Sequence, residues 1–153
     1  MRVKQLRRLE PADAERLQAF VRRLSARSRL ERFFAPVNEL SPKQLERITS
    51  GAAFSLAALD DDGAIFGLAE YACEQPGRAE IAVVVADEWQ GRGVGEQLVA
   101  ALLRHAERAG IARLEGVTRA GNEAMRRLAR KLGFGLRPDA DPHLVRFERG
   151  LAA

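Results

Sequence analysis

The stretch Ile81-Ala82-Val83-Val84-Val85-Ala86-Asp87-Glu88-Trp89-Gln90-Gly91-Arg92-Gly93-Val94-Gly95 decides how the chain reads. Its first five residues are continuously apolar, as expected for a strand covered on both faces. Its end carries glycine at 91, 93 and 95, which lets a backbone turn tightly and approach a ligand closely. Beyond it, Val94, Leu98, Leu102 and Ala106 recur at helical spacing, and Gly110 closes the pattern. Strand, glycine loop and helix start together make an anion cradle. The first-turn N–H groups of a helix lack partners and carry partial positive charge, which suits a phosphate. Two common phosphate loops do not fit. The dinucleotide fingerprint needs glycine where Glu96 stands, and the Walker loop needs Gly-Lys followed by Ser or Thr. A plain glycine-rich turn is the alternative at this point.

Upstream, Pro11 opens a helix whose Leu17, Phe20, Val21 and Leu24 form one apolar face. Ser25 to Phe34 reads as a short second helix. Ser41-Pro42-Lys43-Gln44 is a third helix start, with Ser41 as cap, Pro42 at the first position and Gln44 completing a capping box. Gly51 ends it. Ala53–Leu59 and Ala64–Cys73 read as strands around the turn Asp60-Asp61-Asp62-Gly63, and Arg78–Ala86 follows the turn Gln75-Pro76-Gly77. Downstream, Ile111–Thr118 is another strand. Asn122 caps a helix with Met125, Leu128, Ala129 and Leu132 on one face, Gly133 stops it, and Leu144–Glu148 closes the chain as a strand. The expectation is one α/β (α+β) domain over residues 1–153. Its central sheet is mixed and mostly antiparallel and is flanked by helices. The strands on either side of the glycine loop and its helix form a parallel pair, because a helical crossover joins parallel neighbours.

Composition narrows the class. The chain has 153 residues, 46% hydrophobic and 30% charged, which suits one ordinary core. The net charge is +4 and the pI about 10. The arginines alternate with glutamates, and there is one Trp and one Tyr, so the stripe of bases and aromatics of a nucleic-acid binder is missing. No apolar stretch approaches the ~20 residues that span a bilayer, and the charged N-terminus is no signal peptide. The expected location is the cytoplasm. A single cysteine, Cys73, excludes an internal disulfide and reads as a small buried hydrophobe beside Tyr71. No spaced His/Cys cluster is present, so no metal is expected.

The motif Gln90-x-x-Gly93-x-Gly95 resembles the Gln/Arg-x-x-Gly-x-Gly/Ala signature of the GNAT N-acetyltransferase superfamily. Asn122-x-x-Met125 and Arg130-Lys131-Leu132-Gly133-Phe134 resemble that superfamily's next motif. Upstream, Leu24-Ser25-x-x-Ser28-Arg29-Leu30-x-Arg32-Phe33-Phe34-x-Pro36 is similar to the start of the acetyltransferase domain in bacterial Pat-type protein lysine acetyltransferases. Those proteins usually join this domain to a large partner region, and the 153 residues contain nothing similar.

The resemblance implies acetyl transfer from acetyl-CoA, as co-substrate, to a primary amine on a protein lysine or a small molecule. A non-catalytic acyl-CoA sensor or interaction module is the alternative. It implies that the amides of Gln90, Gly91, Arg92, Gly93, Val94 and Gly95 bind the coenzyme pyrophosphate. The main chain of Val83, Val84 and Val85 would pair with the pantetheine arm, and an N–H near Val83 would face the oxyanion. Asn122 would contact the cofactor or serve only as an N-cap. Glu80 stands where the family carries a glutamate general base, with Glu70 a weaker candidate. An amine must be neutral to attack, and a lysine with pKa near 10.4 is almost wholly protonated at pH 7, so a base helps. Where many members carry a tyrosine general acid, this chain has Ala129; Tyr71 is the candidate substitute. His105 reads as structural. Nucleic-acid and membrane partners are not expected, and a homodimer is left open.

Overall fold

The computed structural model describes residues 5–151. Among the described residues, seven strands form one sheet: β1 (Gln5–Arg8), β2 (Phe54–Leu59), β3 (Ile65–Gln75), β4 (Arg78–Val85), β5 (Arg113–Arg119), β6 (Gly135–Pro138) and β7 (Leu144–Gly150), in the order β1-β2-β3-β4-β5-β7-β6. All neighbours are antiparallel except β4 and β5. The helices are α1 (Ala14–Arg23), α2 (Ala26–Phe33), α3 (Pro42–Thr49), α4 (Val94–Arg108) and α5 (Glu123–Lys131), with short 3-10 turns at Pro11–Asp13 and Asp87–Trp89.

The local devices act where the sequence places them. Ser41 accepts from the Gln44 N–H at 3.2 Å while Gln44 Oε1 takes the Ser41 N–H at 2.8 Å, which closes the capping box of α3. Asp60 Oδ1 accepts from the N–H groups of Asp62 and Ala64 and tightens the β2–β3 turn. In α4, Leu98 and Leu102 are fully buried, and Val99 and Leu103 nearly so, which widens the predicted stripe. Burial of each such side chain stabilises by roughly 1.5–3 kcal/mol.

Two consecutive residues of β3 show how the layers lie. Successive side chains on a strand point to opposite faces. Glu70 meets Arg32 of α2, and Tyr71 meets His105 of α4. So α1 and α2 cover one face of the sheet, and α4, with α5 beside it, covers the other.

The parallel pairing of β4 with β5 is short. It runs Arg78↔Arg113, Ala79↔Leu114 and Glu80↔Glu115, and no further, although β4 continues to Val85 and β5 to Arg119. Beyond Glu80 the strands part and leave a wedge. On its other side β4 stays paired with β3 as far as Val85. The expectation that Ile81–Val85 is covered on both faces is therefore corrected: Ile81 and Val84 are buried, but Ala82, Val83 and Val85 are only half-buried beside the open edge.

Gly116 sits at the fork. A Cβ there would overlap the Phe147 ring, coming within 2.8 Å of its Cε2, and would lie 3.0 Å from Ile81 O. Phe147 is itself buried. Gly116→Ala should therefore cost about 1–3 kcal/mol by overpacking, and urea unfolding would show it as a lower midpoint with an unchanged slope.

A second expectation also fails. Cys73 is exposed, not buried. The pairing of β3 with β2 starts at Tyr71, so residues beyond it have only β4 beside them, and a register shift between Cys73 and Gln75 turns this end outward.

Candidate active site

The glycine loop stands at the mouth of the wedge. Gly91 and Gly93 have φ of 76° and 82°, and a Cβ at either would meet nothing within 4 Å. Their smallness is therefore not a packing demand; the left-handed backbone is what favours glycine. Gly93 is the N-cap of α4, and the first backbone bond of its opening turn is Gln97 N–H to Gly93 O at 3.1 Å. The amides of Val94, Gly95 and Glu96 precede that bond as the free donors of a helix start. Gly95 lies between β4 and α5, where a Cβ would be 3.7 Å from Val85 and 3.4 Å from Leu128.

The other residues singled out from sequence are distributed as follows. Gln90 turns its side chain inward, with Nε2 donating to Val85 O at 2.9 Å and to Ser28 Oγ at 3.3 Å. Arg92 is exposed, its guanidinium 5.6 Å from the Trp89 ring centre, and Trp89 in turn stacks on Phe66 at 3.9 Å. Asn122 Oδ1 accepts from the Met125 N–H at 3.1 Å, so it does cap α5. Thus the loop, Val83–Val85 and α5 converge at one end of β4, while Glu80 lies at the other, about 16 Å from Val85 along the strand.

Four carboxylates share the α2 face near the fork, since Glu70, Glu80, Glu115 and Glu148 fall on one side of the pleat. Glu70 is buried and ion-paired with Arg32, with Ser55 Oγ donating at 3.4 Å. Glu115 is held by Arg78 Nη2 at 3.0 and 3.3 Å. Glu80 is exposed and has no hydrogen-bond or ion-pair partner among the described residues.

Tyr71 lies on the opposite face. Its hydroxyl is 2.8 Å from His105 Nδ1 in the last turn of α4, about 16 Å along that helix from the glycine loop. Burial raises the Tyr71 phenol above its ordinary value. Burial, with Arg8 and Arg108 nearby, lowers His105. His105 also stacks on Phe54 at 3.4 Å, which is a structural role. Ala129 is buried in α5.

Sequence reasoning did not anticipate one network. Asp87, in the turn between β4 and the loop, accepts from Ser25 N–H at 3.2 Å, Ser25 Oγ at 2.8 Å and Ser28 Oγ at 3.2 Å. Burial works to raise its carboxyl, but these hydrogen bonds together hold it below the usual range. With Gln90 on Ser28, the start of α2 is fastened to the glycine loop across 62 residues of sequence. The pair Ser25-x-x-Ser28 was the visible signal; nothing local marked its partner.

Among the described residues, no cluster of three or more His, Cys, Asp or Glu is placed to hold a metal ion, and no helix is long and apolar enough to cross a membrane.

An open strand edge ending at a glycine loop and helix start, with helices on both faces of a mostly antiparallel sheet, defines a class of acyl-CoA-using transferases. The family model for the acetyltransferase (GNAT) domain matches residues 5–135, and the chain belongs to that family. It is an acyltransferase whose chemistry is acetyl-CoA-dependent acetylation. An acetyltransferase of Pseudomonas aeruginosa is 35% identical over 144 residues, covering 89% of this chain and 77% of that protein. The GNAT domain of Pat from S. lividans superposes with a TM-score of 0.88 at 30% identity, covering 95% of this chain and 89% of that one. A phosphinothricin acetyltransferase from Sinorhizobium meliloti, solved in complex with acetyl-CoA, shares the fold with a TM-score of 0.78 at 20% identity, covering 99% and 90%.

Proposed function

We propose that the chain moves an acetyl group from acetyl-CoA to a primary amine, on a protein lysine or a small molecule, by direct attack with Glu80 as general base. The observation that carries this reading is the wedge: pairing between β4 and β5 stops at Glu80 and Glu115, leaving the edge of Ile81–Val85 open toward β5. Coenzyme A carries its thioester at the end of a long arm. With the pyrophosphate on the first-turn amides of α4, the arm runs along that edge and brings the thioester toward Glu80. The side chain of Gln90 serves here as a brace, since it already occupies Val85 O. The binding groups of the loop are main-chain N–H, with Arg92 free to add charge.

Glu80 is preferred among the four carboxylates because Glu70, Glu115 and Glu148 are held by arginines. It would take the proton as the neutral amine attacks the carbonyl carbon. The carbonyl oxygen becomes negative, an N–H near Val83 would stabilise it, and collapse expels the coenzyme thiolate. Tyr71, tied to His105 on the other face, is not proposed as the acid; the thiolate leaves without one from this chain's tyrosine.

Thermal unfolding with and without acetyl-CoA tests the site. At 100 times its dissociation constant the ligand should add about 2.7 kcal/mol, raising Tm by roughly 5–11 °C for a chain of this size. An unmoved Tm at high ligand concentration overturns the placement.

A further inference from the structure

A cavity of about 350 Å³ lies between α2 and the far end of β5. Its charged lining is Arg27 and Glu31 of α2 and Arg119 of β5, with His143 from the turn before β7. It opens on the face that Glu80 shares, because Glu80 pairs with Glu115, and Glu115, Val117 and Arg119 point to one side. The glycine loop leads into α4 on the opposite face.

Two groups in this lining are unmet. The Glu31 side chain is 18% exposed, yet its Oε2 is fully buried without a hydrogen-bond partner, and Oε1 has Arg27 Nε no nearer than 4.0 Å. A buried carboxylate oxygen without a donor is unfavourable, but with no accessible surface it is out of reach of a ligand in the cavity. The Arg119 guanidinium has neither carboxylate nor hydrogen-bond acceptor among the described residues. Two guanidiniums against one carboxylate favour a ligand that brings an acid. Arg119 lies four residues past Glu115, about 13 Å along β5 from the pair that contains Glu80. An α-amino acid holds its amine and acid one carbon apart and does not span this. A lysine beside an acidic residue in a peptide holds them many bonds apart.

Resting on the acetyl-transfer reading, we propose that this cavity is an acceptor subsite for an acidic residue close to the target lysine of a peptide or protein. The acid pairs with Arg119.

The test uses the full chain, acetyl-CoA and three N-terminally capped hexapeptides. Each has one central lysine, followed two positions later by glutamate, glutamine or arginine. The kcat/KM should be about tenfold higher with glutamate than with glutamine, and lowest with arginine. Arg119→Glu should abolish or reverse that order, while the acetyl-CoA shift in Tm stays at the parent value. Equal rates for the three peptides, an order unchanged in Arg119→Glu, or no transfer to any of them would overturn the subsite. The acetyl-CoA shift in the same samples separates the two readings. If it is present while discrimination is absent, the subsite alone fails; if it is absent, the coenzyme placement fails with it.

Discussion

Glu80→Gln should lower kcat by a factor of about 10²–10⁴, the usual worth of a positioned general base, with acetyl-CoA binding unchanged. The substitution keeps size and polarity and removes only the ability to take a proton. Because Glu80 is exposed and has no partner among the described residues, no fold contact is lost with it. A second readout separates base catalysis from a merely structural role. At pH 7 only about one lysine in a few thousand is neutral, so the base matters most there. Near pH 10 roughly a third of a free lysine amine is already neutral, and the deficit of the variant should narrow. A deficit that stays constant from pH 7 to 10 would show that Glu80 does not handle the proton. The same variant distinguishes the enzyme from a sensor of acyl-CoA. A sensor has no turnover to lose, whereas the enzyme loses turnover and keeps its coenzyme-dependent rise in Tm.

The parts of this molecule legible in the sequence are those whose cause is local. The capping box at Ser41, the turn after Asp60, the apolar stripe of α4 and the glycine loop each need only a few adjacent residues, and each stands where it was expected. The parallel pair followed from the crossover alone. β1 and β6 went unread for physical reasons. β1 has four residues, Gln5–Arg8, three of them polar; it is an edge strand, so little of its surface needs to be apolar. β6 is equally short, ends in Pro138 and forms the other edge, where a missing N–H is tolerated. The site divides along the same line. Its loop and strand were legible as a motif, but the parting of β4 from β5 depends on where pairing stops, which no single strand encodes. The fastening of α2 through Asp87, and the gathering of Arg27, Glu31, Arg119 and His143 around one cavity, arise only when distant segments meet.

Asp13 shows how much one such meeting can be worth. Its carboxylate is 2% exposed and takes four donors. Arg7 forks onto it with both distances 2.8 Å, the Glu10 N–H donates at 2.8 Å, and Arg16 adds a contact at 3.2 Å. It joins β1 to the helix that covers the α2 side of the sheet, and the hydrogen bonds from Arg7 hold its carboxyl well below the usual carboxylate range. Asp13→Asn leaves the Arg7 guanidinium, itself 27% exposed, facing an amide that cannot receive the fork. Removing one member of a buried pair costs 3–5 kcal/mol, and the partial exposure of Arg7 puts the expected loss near 3 kcal/mol. At about 2–4 °C per kcal/mol for a chain of this size, Tm at pH 7 should fall by roughly 6–12 °C. The pH dependence has a fixed sign. A carboxyl with a depressed folded-state pKa stabilises fully above its unfolded value near 3.9, and that contribution drains away as pH falls toward the folded value. The gap between parent and variant should thus be constant from pH 8 to about pH 5 and shrink below it, because the parent loses what the variant lacks. A gap that persists undiminished at pH 3 would mean that the charge on Asp13 is not what joins β1 to the helix.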